Sequence, residues 1–222
     1  MAASNPTRIL ETLNKHLQQP IEMTLFGRAA LHLGFSPPVG GTASALTKDV
    51  DIIIAVEEEK TLEENDQFWE ALDKTNAELE PEGLYLTHIF VENQTILRRN
   101  WKAQRQRIEM PSLSRLALWR PDALDLILTK MTRSSDPEDR KDILELIDAE
   151  GLTEADLKRV FEEAVCPPFD DVKEQFSIGK QLINGYFRQK EMQKSAYGMS
   201  GLKAGKNIER GKKRGGAEPP SL

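Results

Sequence analysis

The stretch Thr47-Lys48-Asp49-Val50-Asp51-Ile52-Ile53-Ile54-Ala55-Val56 decides how this chain is read. From Val50 to Val56 it is rich in β-branched residues and almost continuously apolar, interrupted by Asp51. Such a run suits a strand covered on both faces rather than one alternating between core and water. In an extended strand, residues two apart face the same way, so Asp49 and Asp51 present two carboxylates from one face. Two ionised carboxylates that close repel each other unless they are protonated or bridged by a cation. Hard oxygen ligands of this kind suit Mg2+ (or Mn2+), with water and substrate phosphates completing the shell.

Toward the N-terminus, Asn5 reads as an N-cap and Pro6 as the first helical residue. Ile9, Leu10, Leu13 and Leu17 recur at helical spacing, which predicts a helix over about 5–18. Met23 to Phe26 is a short apolar strand, and Gly27 turns it into the helical stretch Arg28–Leu33, which ends at Gly34. A strand-to-helix turn exposes backbone N–H groups, and a glycine there lets a phosphate approach closely. Phe35–Leu46, rich in Ser, Pro, Gly and Thr, reads as a loop.

Toward the C-terminus, Glu57–Glu64 reads as an acidic surface turn. Phe68, Leu72 and Leu79 mark an amphipathic helix that stops before Pro81-Glu82-Gly83, and Leu84–Glu92 is a further strand. Weaker strands are expected near Thr95–Arg98, Arg107–Met110 and Arg115–Trp119. Helices are expected over Pro121–Arg133, Pro137–Glu150, Thr153–Val165 and about Asp170–Gln189. This order predicts an α+β (mixed α/β) fold, with a small mixed sheet and a helical C-terminal half. The expected organisation is an α/β core over 1–120 and a helical region packed on it over 121–190. A disordered basic tail over 191–222 follows.

The net charge is −6. From Arg188 onward nine Lys/Arg face three acids, about +6, which leaves −12 for the preceding 187 residues. An acidic body does not suit a general nucleic-acid binder, although the tail could act as one locally. A second basic stretch, Arg98-Arg99 and Trp101 to Arg107, reads as a solvated loop, with contact to an RNA acceptor through Trp101 as the alternative. No apolar run approaches the length of a bilayer span, no secretory leader is evident, and the single cysteine, Cys166, suits a cytoplasmic protein. Cys166 reads as a small apolar filler. Three scattered histidines and one cysteine give no zinc-site spacing.

Taken together, Phe26-Gly27-Arg28-Ala29-Ala30, Thr47-Lys48-Asp49-Val50-Asp51, Leu86–Glu92 and Asp125–Arg133 with Asp139 and Asp142 resemble the nucleotidyltransferase superfamily. More narrowly, the pattern over about 20–150 resembles the bacterial AbiEii-like nucleotidyltransferases, a group that includes toxins of toxin–antitoxin systems. The resemblance implies a nucleotidyltransferase-type core and an enzyme that transfers a nucleoside monophosphate from an NTP to an RNA or protein hydroxyl. A catalytically weak or inactive nucleotide-binding or interaction domain of the same fold is the alternative. It also implies Mg2+ or Mn2+ on Asp49 and Asp51, NTP contacts from Gly27, Arg28, Thr47 and Lys130, and support from Asp139 or Asp142. Glu92 is the first candidate for a third carboxylate and Glu109 the second, while His88 on the same strand face reads as a hydrogen-bonded structural residue. A cognate antitoxin is an implied partner; a membrane is not. Two positions depart from the family's pattern: Arg28 stands where a second Gly or Ser is usual, and Ala45 where an Arg is frequent.

Overall fold

The structure, a computed structural model, describes residues 3–210, with side chains described as far as Lys194. In chain order the elements are α1 (Asn5–His16), β1 (Ile21–Phe26), α2 (Gly27–Leu33), α3 (Gly41–Ala45) and β2 (Asp49–Ile54). Then follow α4 (Val56–Glu63), α5 (Asp66–Leu79), β3 (Tyr85–Val91), β4 (Leu97–Arg98), β5 (Gln106–Ile108) and β6 (Leu116–Arg120). The remainder is α6 (Ala123–Lys130), α7 (Pro137–Ala149), α8 (Glu154–Glu163), β7 (Ala164–Val165) and α9 (Asp170–Arg210). Among the described residues the strands form a five-stranded sheet, ordered β3-β2-β1-β6-β5, and a two-stranded β4-β7 pair. β2 runs parallel to β3 and antiparallel to β1, and β6 runs parallel to β1 and antiparallel to β5. The fold is therefore mixed α+β, as the order of sequence signals predicts.

The apolar run of β2 is covered on both faces, as its composition requires. On one face α1, α2 and α5 pack against the sheet. Ile9, Leu10 and Leu13 of α1 and Phe68 and Ala71 of α5 are buried, as are Leu25, Val50, Ile52 and Leu86 of the strands. On the other face Ile53 joins Ala55, Leu97 and Trp101 in a cluster flanked by Phe26 and Phe90. Each large side chain so buried contributes roughly 1.5–3 kcal/mol. This second cluster fills one part of its face and leaves the start of β2 open, which is where the two aspartates lie.

Several elements differ from expectation, each for a local reason. Ser4, not Asn5, caps α1, its hydroxyl accepting from the Thr7 N–H. The acidic segment after β2 is the helix α4. Its first turn concentrates Glu57, Glu58 and Glu59, where the helix dipole favours negative charge, and the Glu58 carboxylate accepts from the Ala55 N–H at 2.9 Å. Within the expected loop before β2 lies the short α3. Among the described residues, those as far as Lys180 form one compact unit, so α6, α7 and α8 belong with the sheet, and those from Gln181 to Arg210 form a second. The helix α9 continues to Arg210, beyond the expected end near Gln189 and through the first part of the expected tail. The rest of that tail, 211–222, lies outside the described residues.

A candidate metal and phosphate site

The site begins where β1 ends. Phe26 is the Cα partner of Asp51 on β2, and Gly27 turns the chain into α2 with φ +65°. That backbone conformation strains any residue with a Cβ. A Cβ at Gly27 would also stand 3.2 Å from Asp51 Oδ2. Gly27 therefore leaves space beside the carboxylate. Asp49 opens β2, and its Oδ1 accepts from the Thr47 hydroxyl at 2.7 Å. Asp51 Oδ1 is buried and has no hydrogen-bond partner, although His88 Nδ1 stands 3.4 Å away, at ion-pair range. Burial, and next the charge of Asp49, raise the Asp51 carboxyl above the usual carboxylate range, with His88 and Arg133 opposing them.

The opposite wall comes from α6, the turn after it and α7. Lys130, the last residue of α6, is almost fully buried. Its Nζ lies 2.8 Å from Asp139 Oδ1 and 2.6 Å from Asp142 Oδ2. Asp139 and Asp142 are three apart on α7 and share a helix face, so both reach the same ammonium. Arg133 lies 2.9 Å from Asp139 Oδ2, an ion pair without hydrogen-bond alignment. Arg28 reaches away from the Gly27 turn, to Glu138 at 2.5 Å and to Asp142 at 3.4 Å. Burial works against the Arg28 charge, but these two acids hold its pKa above the ordinary value. Asp136 caps α7 by accepting from the Glu138 and Asp139 N–H groups, and those bonds keep its carboxyl below the usual range.

Between the two walls lies a cleft of about 510 Å3, within the size range of small-molecule sites. Gly27, Arg28, Thr47, Asp49, Asp51, Lys130 and Asp139 all line it. Asp142 stands behind, holding Lys130 and Arg28. Sequence reading gave no role to Arg133, Glu138, Phe90 or Thr132, and read Asp136 only as the cap of the helix at Pro137; all five line the cleft too. For Arg133 a signal existed: it follows Lys130 by three residues, one helical turn. His88, read as structural, also lines the cleft, with its side chain 65% exposed. A smaller recess of about 240 Å3 near α4, lined by Glu22, Glu57, Glu58 and Arg105, holds none of the candidates.

Three expectations are corrected. Glu92 does not face the cleft: it accepts from the Trp101 indole N–H and, at 3.1 Å, from the Val56 N–H. Glu109 is exposed beyond β5, paired with Arg107 at 3.3 Å. Trp101 is buried in the core and offers no surface for stacking. Around it Arg99, Ala103, Gln104, Gln106 and Arg107 are exposed, on short turns and β5 rather than a plain loop. The first residue of this basic stretch, Arg98, is also buried. Burial opposes the Arg98 charge, yet hydrogen bonds to Asp125 and Asp122 hold its pKa well above the ordinary value. Burial pushes the Asp125 carboxyl up, and the hydrogen bonds from the Arg98 guanidinium and backbone N–H oppose that rise.

Among the described residues no group of three or more His, Cys, Asp or Glu side chains stands ready-made around a metal position. What Asp49 and Asp51 offer is a pair of carboxylates with one buried, unpartnered oxygen beside a glycine-made space. That donor set fits a hard divalent cation whose other ligands come from water and substrate. Among the described residues no helix is long and apolar enough to cross a membrane. Comparison with protein-family models, with curated proteins and with solved structures gave no match.

Proposed function

We propose that this chain is a metal-dependent nucleotidyltransferase with a nucleotidyltransferase-type core. It transfers a nucleoside monophosphate from an NTP to an RNA or protein hydroxyl. The observation that carries this reading is the facing of Asp49 and Asp51 by Lys130 and Arg133 across one cleft. The charge balance points the same way. Three cations line the cleft, Arg28, Lys130 and Arg133, against five carboxylates, Asp49, Asp51, Asp136, Glu138 and Asp139. A polyphosphate would meet net repulsion there unless a cation entered with it.

A divalent cation bound by Asp49 and Asp51 supplies Lewis-acid stabilisation of charge on the transferring phosphoryl oxygens. The chain's own residues do the rest. Lys130, fixed by Asp139 and Asp142, and Arg133 at the cleft mouth balance phosphate charge. The space at Gly27 lets the substrate come close to Asp51. The acceptor hydroxyl oxygen bonds to the α-phosphorus as its proton passes to solvent water, the bond from that phosphorus to the β-phosphate oxygen breaks, and pyrophosphate leaves. In a toxin–antitoxin setting, which the sequence resemblance suggests, a cognate antitoxin would be the regulating partner.

A second reading, nucleotide binding without transfer, is favoured by one observation: Glu92 and Glu109 both lie outside the cleft. One experiment separates the two. The protein is incubated with Mg2+ or Mn2+ and each α-labelled NTP, with RNA or with cellular protein. Label transfer lost in Asp49→Asn and Asp51→Asn supports the transferase. NTP binding without transfer supports the second reading, and neither binding nor transfer by folded protein overturns both.

A further inference from the structure

The pairing of β2 with β3 slips by one residue between Val50 and Asp51, so that Val50 opposes Leu86 but Asp51 opposes His88. Thr87 is the extra residue. The consequence follows from the period of a strand. Leu86 and His88, two apart, would otherwise face the same side, and Leu86 is buried on the side of the helices. The slip turns His88 to the other side, with Asp51 and Asp49. Bulges of this kind re-aim a side chain beside functional sites.

Resting on the metal site proposed above, we infer that His88 is a ligand of that ion, and that the site thereby selects a first-row transition cation over Mg2+. Three observations carry this. First, His88 Nδ1 lies 3.4 Å from Asp51 Oδ1. Two donors each about 2.1 Å from one ion, at angles of about 90–110°, stand roughly 3.0–3.4 Å apart. A hydrogen bond between the same atoms would be nearer about 2.9 Å. Second, Asp51 Oδ1 is buried without a hydrogen-bond partner, while His88 Nδ1 makes its 2.8 Å contact with the Thr87 hydroxyl instead. In the tautomer protonated at Nε2, Nδ1 has one lone pair, and an ion binding there would displace the Thr87 hydroxyl, which is free to rotate away. Third, the His88 ring is exposed in the cleft and rests beside Phe90, with ring centroids 5.6 Å apart, so it is oriented without being buried. Mg2+ takes oxygen ligands in a near-ideal octahedron, whereas imidazole nitrogen moves preference toward Mn2+, Co2+ and the later metals.

The test uses the full chain, stripped of metal and free of nucleotide. Mn2+ binding is followed by the loss of its free electron-paramagnetic-resonance signal, with Mg2+ as competitor, in wild type, His88→Ala, His88→Asp and Asp51→Asn. His88 is a surface residue, so its variants are expected to fold; circular dichroism verifies this. The preference for Mn2+ over Mg2+ is expected to fall about tenfold in His88→Ala and in His88→Asp. Bound Mn2+ is expected to show nitrogen coupling in wild type and none in either variant. Binding that requires Asp51, with the same preference and no nitrogen coupling in wild type, overturns the inference and leaves the proposed function standing. Binding of neither cation by wild type, or equal binding by Asp51→Asn, overturns the metal site itself.

Discussion

Lys130 Nζ lies 2.6 Å from Asp142 Oδ2, and both side chains are almost wholly buried. With Asp139 on its other side at 2.8 Å, the ammonium is fixed between two carboxylates from one face of α7. The arrangement follows from helix spacing: Lys130 ends α6, and Asp139 and Asp142 are one turn apart. The same contacts join α6 to α7, so the residue proposed to balance phosphate charge also holds the fold. Lys130→Met keeps most of the volume but leaves two buried carboxylates short of a partner. Removing one member of a buried ion pair typically costs about 3–5 kcal/mol, and Arg28 and Arg133 place the loss near the lower end of that range. Urea denaturation is expected to show this loss for Lys130→Met and less than half of it for Lys130→Arg. Equal stability of Lys130→Met and wild type would mean that the pair is not buried in solution.

Gly27 offers a second separation of strain from function. Gly27→Ala forces a Cβ into φ +65°, which costs about 1–2 kcal/mol. It also brings that carbon 3.2 Å from Asp51 Oδ2. Gly41→Ala carries comparable backbone strain at φ +52° but meets no atom within 4 Å. Both variants are expected to lose similar stability in thermal unfolding. Only Gly27→Ala should also weaken Mn2+ binding, and an equal effect of both variants on binding would remove Gly27 from the site.

How much of this was legible in the sequence depends on the range of each signal. β2 and its carboxylate pair were legible because an apolar run and a period of two are local properties. That Asp139 and Asp142 share a helix face was legible from their spacing, while Lys130 came from the family resemblance and its pairing with them was not read. The strand order was not legible: β6 pairs with β1 from 95 residues away, and no local pattern encodes that register. Arg98 read as part of a basic loop because its partners, Asp122 and Asp125, lie in the next helical segment. His88 was placed on the right strand face but given a structural role, since the slip that sets it opposite Asp51 involves a second strand.

Glu92 illustrates where the period-two argument ends. Alternation from His88 through Phe90 predicts that Glu92 shares their face, but β3 stops at Val91 and Glu92 starts a 3-10 turn. Its carboxylate there joins the Trp101 indole to the start of α4. Glu92→Ala leaves both donors without their acceptor, a loss of about 1–3 kcal/mol. The measurement is paired: the urea midpoint is expected to fall, while nucleotidyl transfer per folded molecule stays at the wild-type value. A transfer rate reduced tenfold or more at unchanged stability would return Glu92 to the catalytic group.

Asp51 should behave in the opposite sense, because the fold tolerates its charge poorly. Burial and the neighbouring Asp49 raise its folded pKa above the unfolded value, which is about 3.9. A raised carboxyl contributes stability that is fully present below that unfolded value and is lost as pH rises through the folded pKa. At pH 7 the ionised Asp51 is therefore a burden on the metal-free protein, and Asp51→Asn relieves it. In EDTA at pH 7 the Asn variant is expected to melt above wild type, and the difference should close near about pH 3, where both side chains are neutral. Adding Mn2+ reverses the order. A cation at about 100 times its dissociation constant stabilises the folded form by about 2.7 kcal/mol, and only wild type can gain this. Should Asp51→Asn melt below wild type in EDTA at pH 7, the carboxylate is a structural anchor and the metal reading loses its electrostatic basis.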